Sequence, residues 1–188
     1  MDPFDLYEKY GENDYIGEEV TQLQHAVQVA KMAEKYCNEK KIPYSTKQDV
    51  VLGAFFHNIG HLLQIIPHYN LPKMDGYGVL NHEIHGANYL RQFGYNKIVY
   101  EMVKNQINTK RYLVTKNPNY YHTLSDASKE RYEFQGKPMT PDELINFESN
   151  NYFRLHLQMR NWDDKAKTAD PEDLKDTNNY FIKLKSFK

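Results

Sequence analysis

A single cysteine, Cys37, leaves this 188-residue chain without an internal disulfide and suits a reducing compartment. Charge of one sign is equally scarce: 24 basic residues stand against 25 acidic ones, a net charge of −1. That balance gives no electrostatic pull toward nucleic acid or an anionic membrane, so neither is expected as a partner, although a local basic pocket is compatible with it. No apolar run approaches the roughly 18–20 residues that span a bilayer. The opening Met1-Asp2-Pro3-Phe4-Asp5 is acidic and lacks the apolar centre of a signal peptide. A cytoplasmic protein, of a cell or of a host cell, is the expectation. What remains is ordinary for a globular chain, with 40% apolar and 26% charged residues, and the length suits one domain around one core.

The patterning is helical. Val20, Leu23, Val27, Ala30 and Ala33 recur at three- and four-residue spacing and predict a helix from Val20 to about Tyr36. Ser45-Thr46-Lys47-Gln48 reads as a capping box opening a helix through Val50, Val51, Ala54, Phe55 and Phe56. Further helices are expected over His82 to Phe93, closed by Gly94, and from Asn96 to about Asn105. Thr140-Pro141-Asp142-Glu143 opens another, and Tyr152 to Lys167 forms the last long one. Val50 to Ala54 would also pass for a buried strand, but its continuation into a histidine-rich helical pattern argues otherwise. No linker or repeat divides the chain. One domain over residues 1–188 is expected, with 1–19 as a lid-like segment and 168–188 as a polar tail over the surface. Asn117 to about Lys137 is the least regular part.

Eight histidines are present, and their positions matter more than their number. His57 and His61 stand four apart, which puts them on one helix face. The run Val51-Leu52-Gly53-Ala54-Phe55-Phe56 places His57 at the end of a buried helix, where each ring nitrogen needs a partner. Ordinary hydrogen bonds would satisfy an isolated histidine. Here His25, His82 and Asp163 also fall on predicted helices, and inward N and O donors from several helices are how bundles build metal sites. Imidazole with carboxylate suits iron, zinc or manganese. His68, His122 and His156 read as structural or exposed; His85, one turn beyond His82, is left open.

At these residues the chain resembles a known family. His57-Asn58-Ile59-Gly60-His61 resembles the signature of the HD superfamily, whose usual form is His-Asp-x-Gly-His. Tyr15-Ile16-Gly17-Glu18 with Val20 to His25, then His82-Glu83-Ile84-His85-Gly86-Ala87, resemble its PhnZ-type phosphonate oxygenases. Lys110-Arg111-Tyr112-Leu113, Leu124-Ser125 with Ser128, Gln135-Gly136 and Arg160-Asn161-Trp162-Asp163 continue the likeness, from about residue 13 to 167. The resemblance implies an all-α HD-type helical bundle with a metal site in its core. It implies iron as cofactor, two in the family and one or two here, with dioxygen as co-substrate and a small organophosphonate as substrate. His25, His57 and Asp163 would hold the first iron and His82 would belong to the second, with position 58 between them. Tyr15 and Glu18 would cover the site, His61 would face the substrate, and Lys110, Ser128, Gln135 and Arg160 would lie near the anionic group. Lysine and bidentate arginine suit such a group.

Two positions depart from the pattern, and both concern the metals. Asn58 stands where the bridging aspartate is expected, and a neutral amide bridges two cations poorly. Gln106, read back from Lys110, stands where a histidine ligand is expected. Three functions follow as alternatives: an iron oxygenase or its divergent descendant, a metal-dependent phosphohydrolase, and a non-catalytic module that binds a small anion. Tyr15, Glu18 and the Arg160-to-Asp163 run favour the oxygenase branch over the hydrolase. A myo-inositol oxygenase is disfavoured by the short chain.

Overall fold

Thr21 caps the helix that carries His25. Its hydroxyl accepts from the Gln24 N–H while the Gln24 side chain accepts from the Thr21 N–H, which pairs two donors that a helix start otherwise leaves free. The computed structural model describes residues 1–67 and 69–187, and there every regular element is helical. In order these are α1 (Pro3–Tyr10), α2 (Gln22–Glu39), α3 (Tyr44–Phe55), a 3-10 helix (Ile59–Ile65), α4 (His82–Gln92), α5 (Lys97–Lys104), α6 (Gln106–Lys116), α7 (Pro118–Thr123), α8 (Asp126–Phe134), α9 (Pro141–Glu148), α10 (Phe153–Lys165), α11 (Pro171–Leu174) and α12 (Thr177–Lys185). The all-α expectation holds.

Helix α2 packs on α3, α3 on α5, α5 on α4, and α4 on the 3-10 helix, while α10 lies across α2 and α6. Val27, Ala30, Val51, Phe55, Phe56, Leu63, Leu90, Met102 and Trp162 fill the space between them. Apolar burial on this scale is the main force holding the bundle together. A satellite core of Tyr112, Met139 and Phe147 seats α9 on α6.

Gly60 sets the approach of α4. A Cβ there would lie 1.9 Å from the carbonyl oxygen of His82, so any larger residue would drive the start of α4 away. The glycine of the histidine motif is what brings His82 beside His61.

Four expectations are revised. The helix through Val51 begins at Tyr44, with Pro43 at its boundary and no side-chain cap; the fixed φ of proline already sets the entry, so Ser45 falls inside the first turn. Residues 3–10 form α1, with an Asp2–Asp5 capping box and Pro3 in the first turn. Phe4 and Tyr7 of α1 pack against Phe55 and Phe56. The 168–188 tail puts Phe181 and Leu184 into the core, through a short helix pattern masked by its lysines. Between Asn117 and Lys137, α7 and α8 form under caps from Asn117 and Ser125.

Candidate metal centre

His25 on α2, His57 just beyond α3 and Asp163 near the end of α10 converge in the core. The His25 Nε2 stands 3.0 Å from both the His57 Nε2 and the Asp163 Oδ1, and the His57 Nε2 lies 3.4 Å from the same carboxylate oxygen. Each imidazole has already committed its proton. The His25 Nδ1–H donates to the Ala166 carbonyl at 2.7 Å, and the His57 Nδ1–H donates to the Ala54 carbonyl at 2.8 Å. Both Nε2 atoms therefore present lone pairs, to one another and to a carboxylate. Three lone-pair donors in a buried site repel unless a cation lies among them. Bonds of about 2.1 Å at right angles place donors about 3.0 Å apart, so the set has the spacing of one face of an octahedral ion. The chemistry of the donors fits iron.

Electrostatics support the same reading. Burial would raise the Asp163 carboxyl, but the Arg160 guanidinium beside it holds it well below the usual carboxylate range. Burial lowers His25, against the raising effect of Asp163, and favours its neutral, metal-binding form. Arg160 also fixes the carboxylate in place. Its Nη1 reaches the Asp163 Oδ2 at 2.8 Å, its Nη2 pairs with Asp164, and its Nε donates to the Tyr120 hydroxyl at 2.9 Å.

His57 and His61 do not share a helix face. Helix α3 ends at Phe55 and the 3-10 helix begins at Ile59, so the intervening turn aims the two rings apart. His61 stacks on His82, with ring centroids 3.9 Å apart and planes tilted by 18°, and its Nδ1 accepts the Val79 N–H at 3.1 Å. Burial first, then Arg131 and Lys110, pulls His82 down to about 3. Asn58 and Gln106 are buried beside this pair, and the Gln106 Nε2 has no hydrogen-bond partner. Among the described residues, His25, His57 and Asp163 are the one group of three or more histidine, cysteine or acidic side chains whose donor atoms gather closely enough for a metal.

A cavity of about 20 Å³ opens between the triad and the stacked pair, lined by Tyr15, Asn58, Gln106, Lys110, Ser128, Gln135 and Arg160 among others. It has room for a water-sized group, so a larger ligand needs part of the wall to move. The Lys110 Nζ donates to the Gln135 Oε1 at 2.7 Å and to the Ser128 carbonyl at 3.4 Å. Burial, and then Arg160, push its ammonium well below the usual lysine range.

Tyr15 lies over the triad, stacked on His25 at 4.3 Å. It belongs to a turn closed by the Tyr15 N–H to Val20 carbonyl bond, with Gly17 at φ +81°, a backbone conformation glycine adopts freely. Glu18 points away from the triad and accepts from Lys167 at 2.6 Å and from Ser125 at 2.7 Å. Its structural role is to pin this turn to α8 and the end of α10.

Two residues of the site escaped the sequence reading. Arg131 lines the cavity, sits 5.1 Å from the Tyr15 ring centre and donates to the Ile16 and Tyr77 carbonyls. Tyr120 bridges Arg160 and Asp164. The spacing of Arg131 three positions after Ser128, on one face of α8, was the available signal. His122 is exposed, His85 half-buried, and His156 buried away from the site; His68 lies outside the described residues.

A helical bundle with this triad on α2, the turn after α3 and α10 is an HD-type domain. Residues 23–146 match the HD domain family, and the chain belongs to it. Within the family it falls in the PhnZ-type oxygenase subgroup. It is 35% identical over 172 residues to a hydroxymethylphosphonate dioxygenase of Gimesia maris, covering 87% of this chain and 76% of the relative. It is 30% identical over 167 residues to the 1-hydroxy-2-(trimethylamino)ethylphosphonate dioxygenase (glycine-betaine-forming) of Leisingera caerulea, covering 89% and 79%. It is also 38% identical over 162 residues to uncharacterized protein L432 of Acanthamoeba polyphaga mimivirus, covering 86% and 69%. Among the described residues no helix is long and apolar enough to cross a membrane.

Proposed function

We propose that this chain is a non-haem iron oxygenase acting on a small organophosphonate, with the iron held by His25, His57 and Asp163. The observation that carries the reading is the convergence of two imidazole lone pairs and a carboxylate at 3.0–3.4 Å, with both Nδ1 protons spent on backbone carbonyls. Bound iron would supply the redox chemistry and the activation of dioxygen, leaving positions open for other ligands.

The chain's own residues would do the rest. Lys110, with Ser128 and Gln135 beside it, would hold the phosphonate oxygens, while Arg160 would keep the Asp163 carboxylate oriented. His61 would face the substrate, and Tyr15 with Glu18 would form the movable cover that keeps bulk water out. For a 1-hydroxyalkylphosphonate the overall reaction balances with one dioxygen. The C–H and C–P bonds of the carbinol carbon break, that carbon takes oxygen to become a carboxylic acid, phosphorus leaves as inorganic phosphate, and dioxygen accepts the four electrons.

The test is phosphorus NMR of the iron-loaded chain with hydroxymethylphosphonate in air. Formation of inorganic phosphate, lost in His57→Ala, supports the oxygenase. Phosphonate-dependent thermal stabilisation without any phosphate release favours the second reading, a non-catalytic anion-binding module, for which Asn58 and Gln106 speak. Release of phosphate from simple phosphate esters but not from phosphonates would favour the hydrolase.

A further inference from the structure

We propose that the position beside the triad, where the family resemblance would place a second iron, is in this chain an oxyanion pocket that takes a tetrahedral phosphorus oxyanion and no cation. Asn58, His61, His82, Gln106, Lys110 and Arg131 surround it. None carries a negative charge, and two carry cationic groups. Asn58 spends its amide N–H on the Tyr15 hydroxyl at 3.2 Å. The Gln106 Nε2 is buried and unpartnered on the cavity wall, which leaves a donor awaiting an acceptor.

The two histidines do not rescue a metal site. Imidazole lone pairs lie in the ring plane, and these rings are stacked at 3.9 Å with planes only 18° apart, so the lone pairs run side by side instead of converging. The His61 Nδ1 is already occupied by the Val79 N–H. The buried Glu83 carboxylate lies 3.7 Å from the His82 Nδ1, but among the described residues it does not gather with the two histidines into a ligand set. A divalent ion here would therefore meet at most two poorly aimed nitrogens, with Lys110 and Arg131 nearby. An anion would meet amide, imidazole, ammonium and guanidinium N–H donors, the chemistry that holds phosphate.

This inference rests on the same family placement as the oxygenase reading, but its test requires no turnover. The full chain, loaded anaerobically with Fe(II), is titrated calorimetrically with inorganic phosphate, and its iron is counted. One phosphate and one iron per chain are expected. The isosteric Gln106→Glu variant, which puts a carboxylate in the pocket, is expected to bind phosphate at least tenfold more weakly while still holding one iron. Two irons in the unaltered chain would overturn the proposal. So would absent phosphate binding, or equal phosphate affinity in Gln106→Glu. Failure of the oxygenase reading alone would instead appear as normal phosphate and iron binding without oxidation of any phosphonate.

Discussion

The side-chain amide of Asn58 donates to the Tyr15 hydroxyl across 3.2 Å, while the Tyr15 ring lies stacked on His25. One residue of the histidine motif thereby ties down the cover of the site, a task that a carboxylate shared between two metals could not perform with an N–H. Tyr15→Phe would keep the stack and remove the acceptor, leaving the Asn58 donor unpaired. A loss of about 1–2 kcal/mol in unfolding free energy is expected, with iron stoichiometry unchanged. Denaturant unfolding alongside metal analysis checks this, and loss of the iron itself would show that Tyr15 belongs to the metal site.

Arg160 reaches two carboxylates and a phenol with one planar group. Lysine keeps the charge but not the fork. In Arg160→Lys the Asp163 carboxylate loses its orientation, and iron affinity is expected to fall by roughly ten- to a hundredfold, as for other residues that position a metal ligand. Anaerobic competition with a chelator measures it. Unchanged affinity would mean that α10 alone sets the carboxylate.

His156 is buried with neither ring nitrogen hydrogen-bonded and stacks near Phe147 in the satellite core. Burial pulls it from 6.5 down to about 4. A histidine lowered in the folded state contributes its full stability above about pH 6.5, and loses it as pH falls toward 4, because the unfolded chain takes up the proton first. The contribution is on the order of 3 kcal/mol. In His156→Phe the part of the stability loss between pH 7 and pH 5 that comes from this residue should disappear. Urea unfolding at both pH values tests it; an unchanged slope would mean that the loss arises elsewhere.

Much of this was legible in the sequence because the elements that build the site are locally encoded. The apolar spacing from Val20 to Ala33 gave α2, and the Thr140 box gave the start of α9. The donors His25, His57 and Asp163 were readable as candidates from their helices and from the family likeness. Less legible were features that depend on tertiary approach. The short α1 reads as a polar N-terminus because its inward face is just Pro3, Phe4, Leu6 and Tyr7. Arg131 looks like a surface residue until α8 is laid against the Tyr15 turn. The break between α3 and the 3-10 helix separates His57 from His61, and Gly60 in the 3-10 helix takes the close approach of His82; no helical period records either.

The most direct test of a single triad-bound iron is a Mössbauer spectrum of the chain loaded anaerobically with isotopically enriched iron and exposed to a limiting oxidant. One uncoupled iron per chain is expected, lost in His57→Ala, with Asn58→Asp combined with Gln106→His moving the count toward two. A spin-coupled pair of irons in the unaltered chain, or no iron bound at all, would contradict it.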